Sequence, residues 1–137
     1  MSTARTRFVL IFDGGSIGNP GAAYGSFRLQ QTGSPPLPVQ RLTFGRGTNN
    51  EAEYKALLGG LQELQRTLAT QGLRTADVEV EVRGDSRLVL EQLRGTWRVK
   101  NPRLAALHRE ADGLLERFAH VRLVHQDRSR SVRVLGH

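Results

Sequence analysis

Apolar residues recur along this chain with two different periods. Phe8-Val9-Leu10-Ile11-Phe12-Asp13 is an apolar, β-branched and aromatic run that predicts a buried strand over residues 8–13. Gly14, Gly15, Gly18, Asn19, Pro20 and Gly21 follow and predict a tight turn or hairpin. Residues 22–30 alternate loosely, as a returning antiparallel strand would, and the Gly/Ser/Pro-rich stretch 31–38 predicts a loop. Residues 39–45 alternate again and predict a third strand. At Thr48-Asn49-Asn50-Glu51 the pattern changes to a polar cap followed by a carboxylate, a helix start. Ala52, Leu57, Leu58, Leu61, Leu64 and Leu68 then recur at helical spacing to about Thr70. Residues 78–82 set Val against Glu79 and Glu81 and predict a strand; residues 88–94 predict a short helix. A loop over 95–102 holds the single tryptophan, Trp97. Leu104, Leu107, Ala111, Leu114, Leu115 and Phe118 stripe a helix over 103–118, and residues 120–125 predict a last strand. The tail from Gln126 to His137 is basic and offers little to bury.

This order predicts an α/β fold. Three adjacent strands form an antiparallel meander. The last two follow helices and lie parallel to the first through right-handed crossovers, giving a mixed five-stranded sheet flanked by helices. At 137 residues, 1–137 is expected to form one domain with a true core. No internal repeat interrupts it.

Composition narrows the chemistry. The absence of cysteine excludes disulfides and thiolate metal sites. No apolar run approaches the roughly 20 residues of a membrane span, and residues 1–7 lack an apolar signal core, so a cytoplasmic protein with no membrane partner is expected. The net charge is +7, and only two of the 20 basic residues are lysine, Lys55 and Lys100. Arginine favours planar, bidentate contact with phosphate. A small basic domain of this kind points to a polyanion, most simply nucleic acid.

Three carboxylates stand where elements begin or end. Asp13 closes the first strand, Glu53 lies in the first turn of the long helix, and Asp85 follows the fourth strand. If the fourth strand lies beside the first, Asp13 and Asp85 meet at one sheet edge and helix packing brings Glu53 over them. Three converging carboxylates repel one another, and hard divalent cations such as Mg²⁺ resolve the conflict. Each residue also has a structural reading: Asp13 capping its own turn, Glu53 complementing its helix dipole, Asp85 capping the next helix.

Asp13-Gly14-Gly15-Ser16-Ile17-Gly18-Asn19-Pro20-Gly21, Thr48-Asn49-Asn50-Glu51-Ala52-Glu53-Tyr54-Lys55-Ala56-Leu57 and Gly84-Asp85-Ser86 together resemble ribonuclease H of type 1. Trp97-Arg98-Val99-Lys100-Asn101-Pro102 looks like the short connection of the prokaryotic branch that lacks the basic protrusion. The resemblance covers nearly the whole chain in the right order, and the Thr-Asn-Asn-x-Ala-Glu-Tyr stretch is its most specific part. It implies a ribonuclease H-like fold and a metal-dependent endoribonuclease that cuts the RNA strand of RNA/DNA hybrids by a two-metal-ion mechanism, with Mg²⁺ as cofactor and Mn²⁺ able to substitute. It further implies that Asp13, Glu53 and Asp85 are catalytic and metal-binding. Gly14, Gly15, Ser16, Asn19, Asn49 and Asn50 would meet the nucleic acid, Arg46 and Thr48 a DNA phosphate, and Trp97 the DNA strand. Glu51 becomes a surface neighbour. A monomer is expected.

The departure lies at the end of the chain. The family carries a fourth carboxylate in an Asn-x-x-Ala-Asp-x-Leu-Ala stretch, and here Ser129-Arg130-Ser131-Val132-Arg133-Val134-Leu135-Gly136 places Arg133 at that position. The candidates to fill the role are His125, Asp127, His137 and an inward-pointing Arg133. A module that binds hybrid or double-stranded RNA without cutting it is the alternative that Arg133 favours. A transposase or integrase core of the same fold is disfavoured by the Thr48-to-Tyr54 stretch.

Overall fold

The computed structural model describes residues 5–136. Its elements run β1 (Thr6–Ile17), β2 (Gly21–Gln31), β3 (Gln40–Gly47), α1 (Asn49–Thr70), a 3₁₀ turn (Thr75–Asp77), β4 (Val78–Gly84), α2 (Arg87–Arg94), α3 (Pro102–Leu115), β5 (His120–His125) and α4 (Arg128–Leu135). The sheet order is β3-β2-β1-β4-β5. β1, β2 and β3 pair antiparallel, while β4 pairs parallel to β1 and β5 parallel to β4. That is the mixed sheet the alternation predicts.

One sheet face carries the core. Phe8, Leu10 and Phe12 of β1, Phe27 and Leu29 of β2, and Val80 and Val82 of β4 are buried there with Leu57, Leu61, Leu64 and Leu68 of α1 and Leu104, Ala111 and Leu115 of α3. The period-2 and period-3.6 stripes therefore meet face to face. α1 begins with a full capping box: Thr48 Oγ1 accepts from Glu51 N–H at 3.1 Å, and Glu51 Oε1 accepts from Thr48 N–H at 3.2 Å. This fixes the first turn of α1, which holds Glu51; Glu53, expected in that turn, begins the next one.

Two expectations need correction. The turn expected directly after Asp13 comes later, because β1 continues to Ile17 and pairs Gly14 with Gly25, Gly15 with Tyr24 and Ser16 with Ala23. The tail expected to bury little forms α4, which packs on β1 and β2 with Ser131 and Leu135 fully buried. Its single buried apolar residue is too little for a periodic signal in the sequence.

Candidate active site

Three elements deliver one carboxylate each. β1 carries Asp13, α1 carries Glu53 just after its capped first turn, and the parallel neighbour β4 ends one residue before Asp85. Ser86, not Asp85, caps α2, accepting from Val89 N–H at 3.3 Å. Asp85 is thus released from the capping role open to it in the sequence. One oxygen from each of Asp13, Glu53 and Asp85 lies within 4.8 Å of the others. Asp13 is 1% and Glu53 7% exposed. Asp13 Oδ1 accepts from Gly14 N–H at 3.0 Å. Glu53 Oε2 and Asp85 Oδ2 are buried without a hydrogen-bond partner.

Burial and the two neighbouring acids push the Glu53 carboxyl well above its ordinary value. Burial and Asp13 push Asp85 up to about 6, and Arg128 opposes that shift. Unsatisfied buried carboxylate oxygens are costly. An all-oxygen donor set of this charge suits a hard divalent cation, so the residues fit the metal that the sequence implies.

The triad opens into a cleft of about 610 Å³ walled by Gly14, Gly15, Ser16, Tyr24, Asn49, Asn50, Ser86, His125, Asp127 and Arg128. Most residues expected at the nucleic acid are therefore here, but several are already bonded. Ser16 N–H donates to Asn49 Oδ1 at 2.7 Å and Ser16 Oγ donates to Gly47 O at 2.7 Å. Asn19 Oδ1 accepts from Asn49 N–H at 3.0 Å. These bonds latch the β1–β2 hairpin to the start of α1, leaving the two asparagine amide NH₂ groups for a ligand. The glycines also answer to packing. A Cβ on Gly14 would lie 2.5 Å from the Ala52 carbonyl and 2.6 Å from Glu53 N, and one on Gly15 would lie 2.7 Å from Tyr24 Oη. Close approach of α1 to β1 requires Gly14, and that approach brings Glu53 to Asp13.

Tyr54, within the most specific stretch of the sequence, is structural. It is fully buried and donates to Gln92 Oε1 at 2.6 Å, and burial raises its pKa. Arg46 is exposed on β3, and Trp97 is 45% exposed between α2 and α3; neither lines the cleft.

Around the fourth position, His125 and Asp127 line the cleft. An inward Arg133 is not found: it is exposed and lines a separate pocket. His137 lies outside the described residues. The cation that enters the cleft is Arg128, whose Nη1 lies 3.6 Å from Asp85 Oδ2. Arg128 and Arg133 are five residues apart, which rotates them about 140° around a helix at 3.6 residues per turn. Tyr24 and Arg128 were not legible as site residues: Tyr24 is placed by its pairing with Gly15, and Arg128 by where α4 begins.

A family profile described as reverse transcriptase-like matches residues 29–134. The bifunctional protein Rv2228c of Mycobacterium tuberculosis is 39% identical over 116 residues, which is 84% of this chain and 30% of that protein. Ribonuclease HI of Halobacterium salinarum is 36% identical over 122 residues, 89% of this chain and 57% of that protein. The crystal structure of that organism's RNase H1 superposes with a TM-score of 0.79 at 35% identity, covering 93% of this chain and 90% of that one. This chain belongs to the ribonuclease H family. LC11-RNase H1, solved in complex with an RNA/DNA hybrid, is a further member, with a TM-score of 0.82 at 33% identity over 92% of this chain and 89% of its own. The present chain spans only about a third to somewhat over half the length of these curated relatives. Among its described residues no helix is long and apolar enough to cross a membrane.

Proposed function

We propose that this chain hydrolyses the RNA strand of RNA/DNA hybrids in a divalent-cation-dependent reaction, acting as a monomer. The observation that carries this reading is the convergence of Asp13, Glu53 and Asp85 with two buried oxygens that accept no hydrogen bond. The reported LC11-RNase H1 complex with an RNA/DNA hybrid supports the choice of substrate.

Mg²⁺, or Mn²⁺ in its place, would be held by Asp13, Glu53 and Asp85 and would supply charge neutralisation and water activation for phosphodiester hydrolysis, in the two-ion manner where a second ion finds ligands. The protein's own residues do the rest. The capping box of Thr48 and Glu51 and the Gly14 contact hold Glu53 against Asp13. The amides of Asn49 and Asn50 face the cleft and can hold sugar hydroxyls, the groups that distinguish RNA from DNA. Arg46, with the Thr48 hydroxyl beside it, offers a DNA-phosphate contact, and exposed Trp97 a stacking surface. His125 and Asp127, both on the cleft wall, are the candidates for the fourth position.

A binding module without catalysis is the second reading. It is favoured by the Arg128–Asp85 ion pair, which sets a cation against one of the three carboxylates. Strand-labelled hybrid incubated with Mg²⁺ or Mn²⁺ decides between them. RNA-strand products above an Asp13→Asn control support the enzyme; hybrid bound but uncut in both metals supports the module.

A further inference from the structure

We propose that a second pocket beside the catalytic cleft binds a backbone phosphate of the hybrid, a deepening that rests on the hybrid reading above. The pocket has a volume of about 500 Å³ and lies between α4 and the C-terminal ends of β4 and β5. Arg83, Arg130, Arg133, His125, Gln126 and Asp127 line it. His125 and Asp127 also wall the carboxylate cleft, so a polynucleotide lying in the cleft continues into this pocket.

The charge is one-sided. Arg130 and Arg133 stand one turn apart on α4, exposed and without an ion pair among the described residues. Arg83 is held by Glu81, with Nε 2.6 Å and Nη2 2.5 Å from Oε2, which fixes its guanidinium while leaving donors over. The two unpaired guanidiniums and that of Arg83, already bound to Glu81, face one lining carboxylate, Asp127. Guanidinium forks match phosphate oxygens and can bind them bidentately. Gln126 closes the pocket from below: it is 5% exposed and its Nε2 donates to Ser131 Oγ at 2.9 Å, which ties the start of α4 to the end of β5. A phosphate brings acceptors for the arginines.

The test is the double variant Arg130→Ala/Arg133→Ala in the full chain. Both side chains are exposed, and the buried residues of α4 are Ser131 and Leu135, so the melting temperature should stay within a degree or two. Hybrid binding is measured without metal across a salt series. The log–log slope should flatten by about two, with affinity down roughly tenfold at low salt, and the loss in cleavage should appear in KM rather than kcat. An unchanged slope overturns the subsite, as does failure of the parent protein to bind hybrid. Inorganic phosphate is the second probe: if it binds in an Arg130- and Arg133-dependent way while hybrid affinity ignores both, the pocket belongs to a free anion and the proposal fails. Failure of the catalytic reading looks different: the parent leaves the hybrid uncut, yet the double variant still loses hybrid affinity.

Discussion

The Arg128 guanidinium stands 3.6 Å from Asp85 Oδ2, with the arginine side chain 69% exposed and the aspartate side chain 8% exposed. The contact is an ion pair without a hydrogen bond, since Asp85 Oδ2 has no hydrogen-bond partner. A cation bound by the triad and Arg128 therefore compete for the same carboxylate. Removing Arg128 removes both the competitor and a repelling charge.

Arg128→Ala should shift the Mg²⁺ midpoint of thermal stabilisation several-fold lower at pH 8, where Asp85 is ionised in either form. Without metal the variant should lose less than about 1 kcal/mol, because an ion pair with one partner so exposed contributes little. A weaker Mg²⁺ midpoint would make Arg128 a support of the site.

The triad sets a pH dependence whose sign is fixed. Glu53 is raised well above its ordinary value and Asp85 to about 6. From about pH 4, where unfolded carboxylates ionise, up through these folded values, the native state holds more protons than the unfolded state. Stability without metal therefore falls as pH rises through that window. Asp85→Asn should flatten the fall, and Mg²⁺ should offset it by favouring the ionised acids. Melting curves at pH 5 and pH 8, with EDTA and with Mg²⁺, check this. A metal-free slope unaffected by Asp85→Asn would contradict it.

Gly14 and Gly113 should respond oppositely to alanine. At Gly14 the new Cβ meets the backbone of Ala52 and Glu53, an overpacking that costs about 1–3 kcal/mol and displaces Glu53. At Gly113, inside α3, nothing lies within 4 Å, and alanine should stabilise by about 0.5–1 kcal/mol. Gly14→Ala should also blunt the rise in melting temperature on adding Mg²⁺, whereas Gly113→Ala should leave that rise intact. Differential scanning calorimetry reads both quantities.

Arg46 is exposed beside the cap of α1 and has no ion pair among the described residues. Arg46→Ala should weaken hybrid binding at all sequences alike and reduce the salt slope by about one. An unchanged slope removes Arg46 from the interface.

The sheet and the triad were legible in the sequence because each rests on local rules. The run Phe8 to Phe12, the alternation of Val78 to Val82 and the leucine stripe of α1 each show their buried face directly, and Asp13, Glu53 and Asp85 sit at predicted element ends. What stayed hidden depends on partners far along the chain. Gly14 and Gly15 read as an open approach for a ligand, yet Ala52 and Tyr24 fill the space beside them. Asn49 reads as a free contact, yet its Oδ1 holds Ser16. α4 has one buried apolar residue, Leu135, so periodicity could not set where it begins or how it is rotated, and the two together decide that Arg128 rather than Arg133 enters the cleft.

The central claim is that Asp13, Glu53 and Asp85 form a divalent-cation site. Anomalous scattering from Mn²⁺-soaked crystals tests it most directly, because it locates the ions and shows their ligands. The account predicts a Mn²⁺ peak bound by oxygens of all three carboxylates, lost in Asp13→Asn. Crystals with no Mn²⁺ at the triad, or with Mn²⁺ bound only elsewhere, would contradict it.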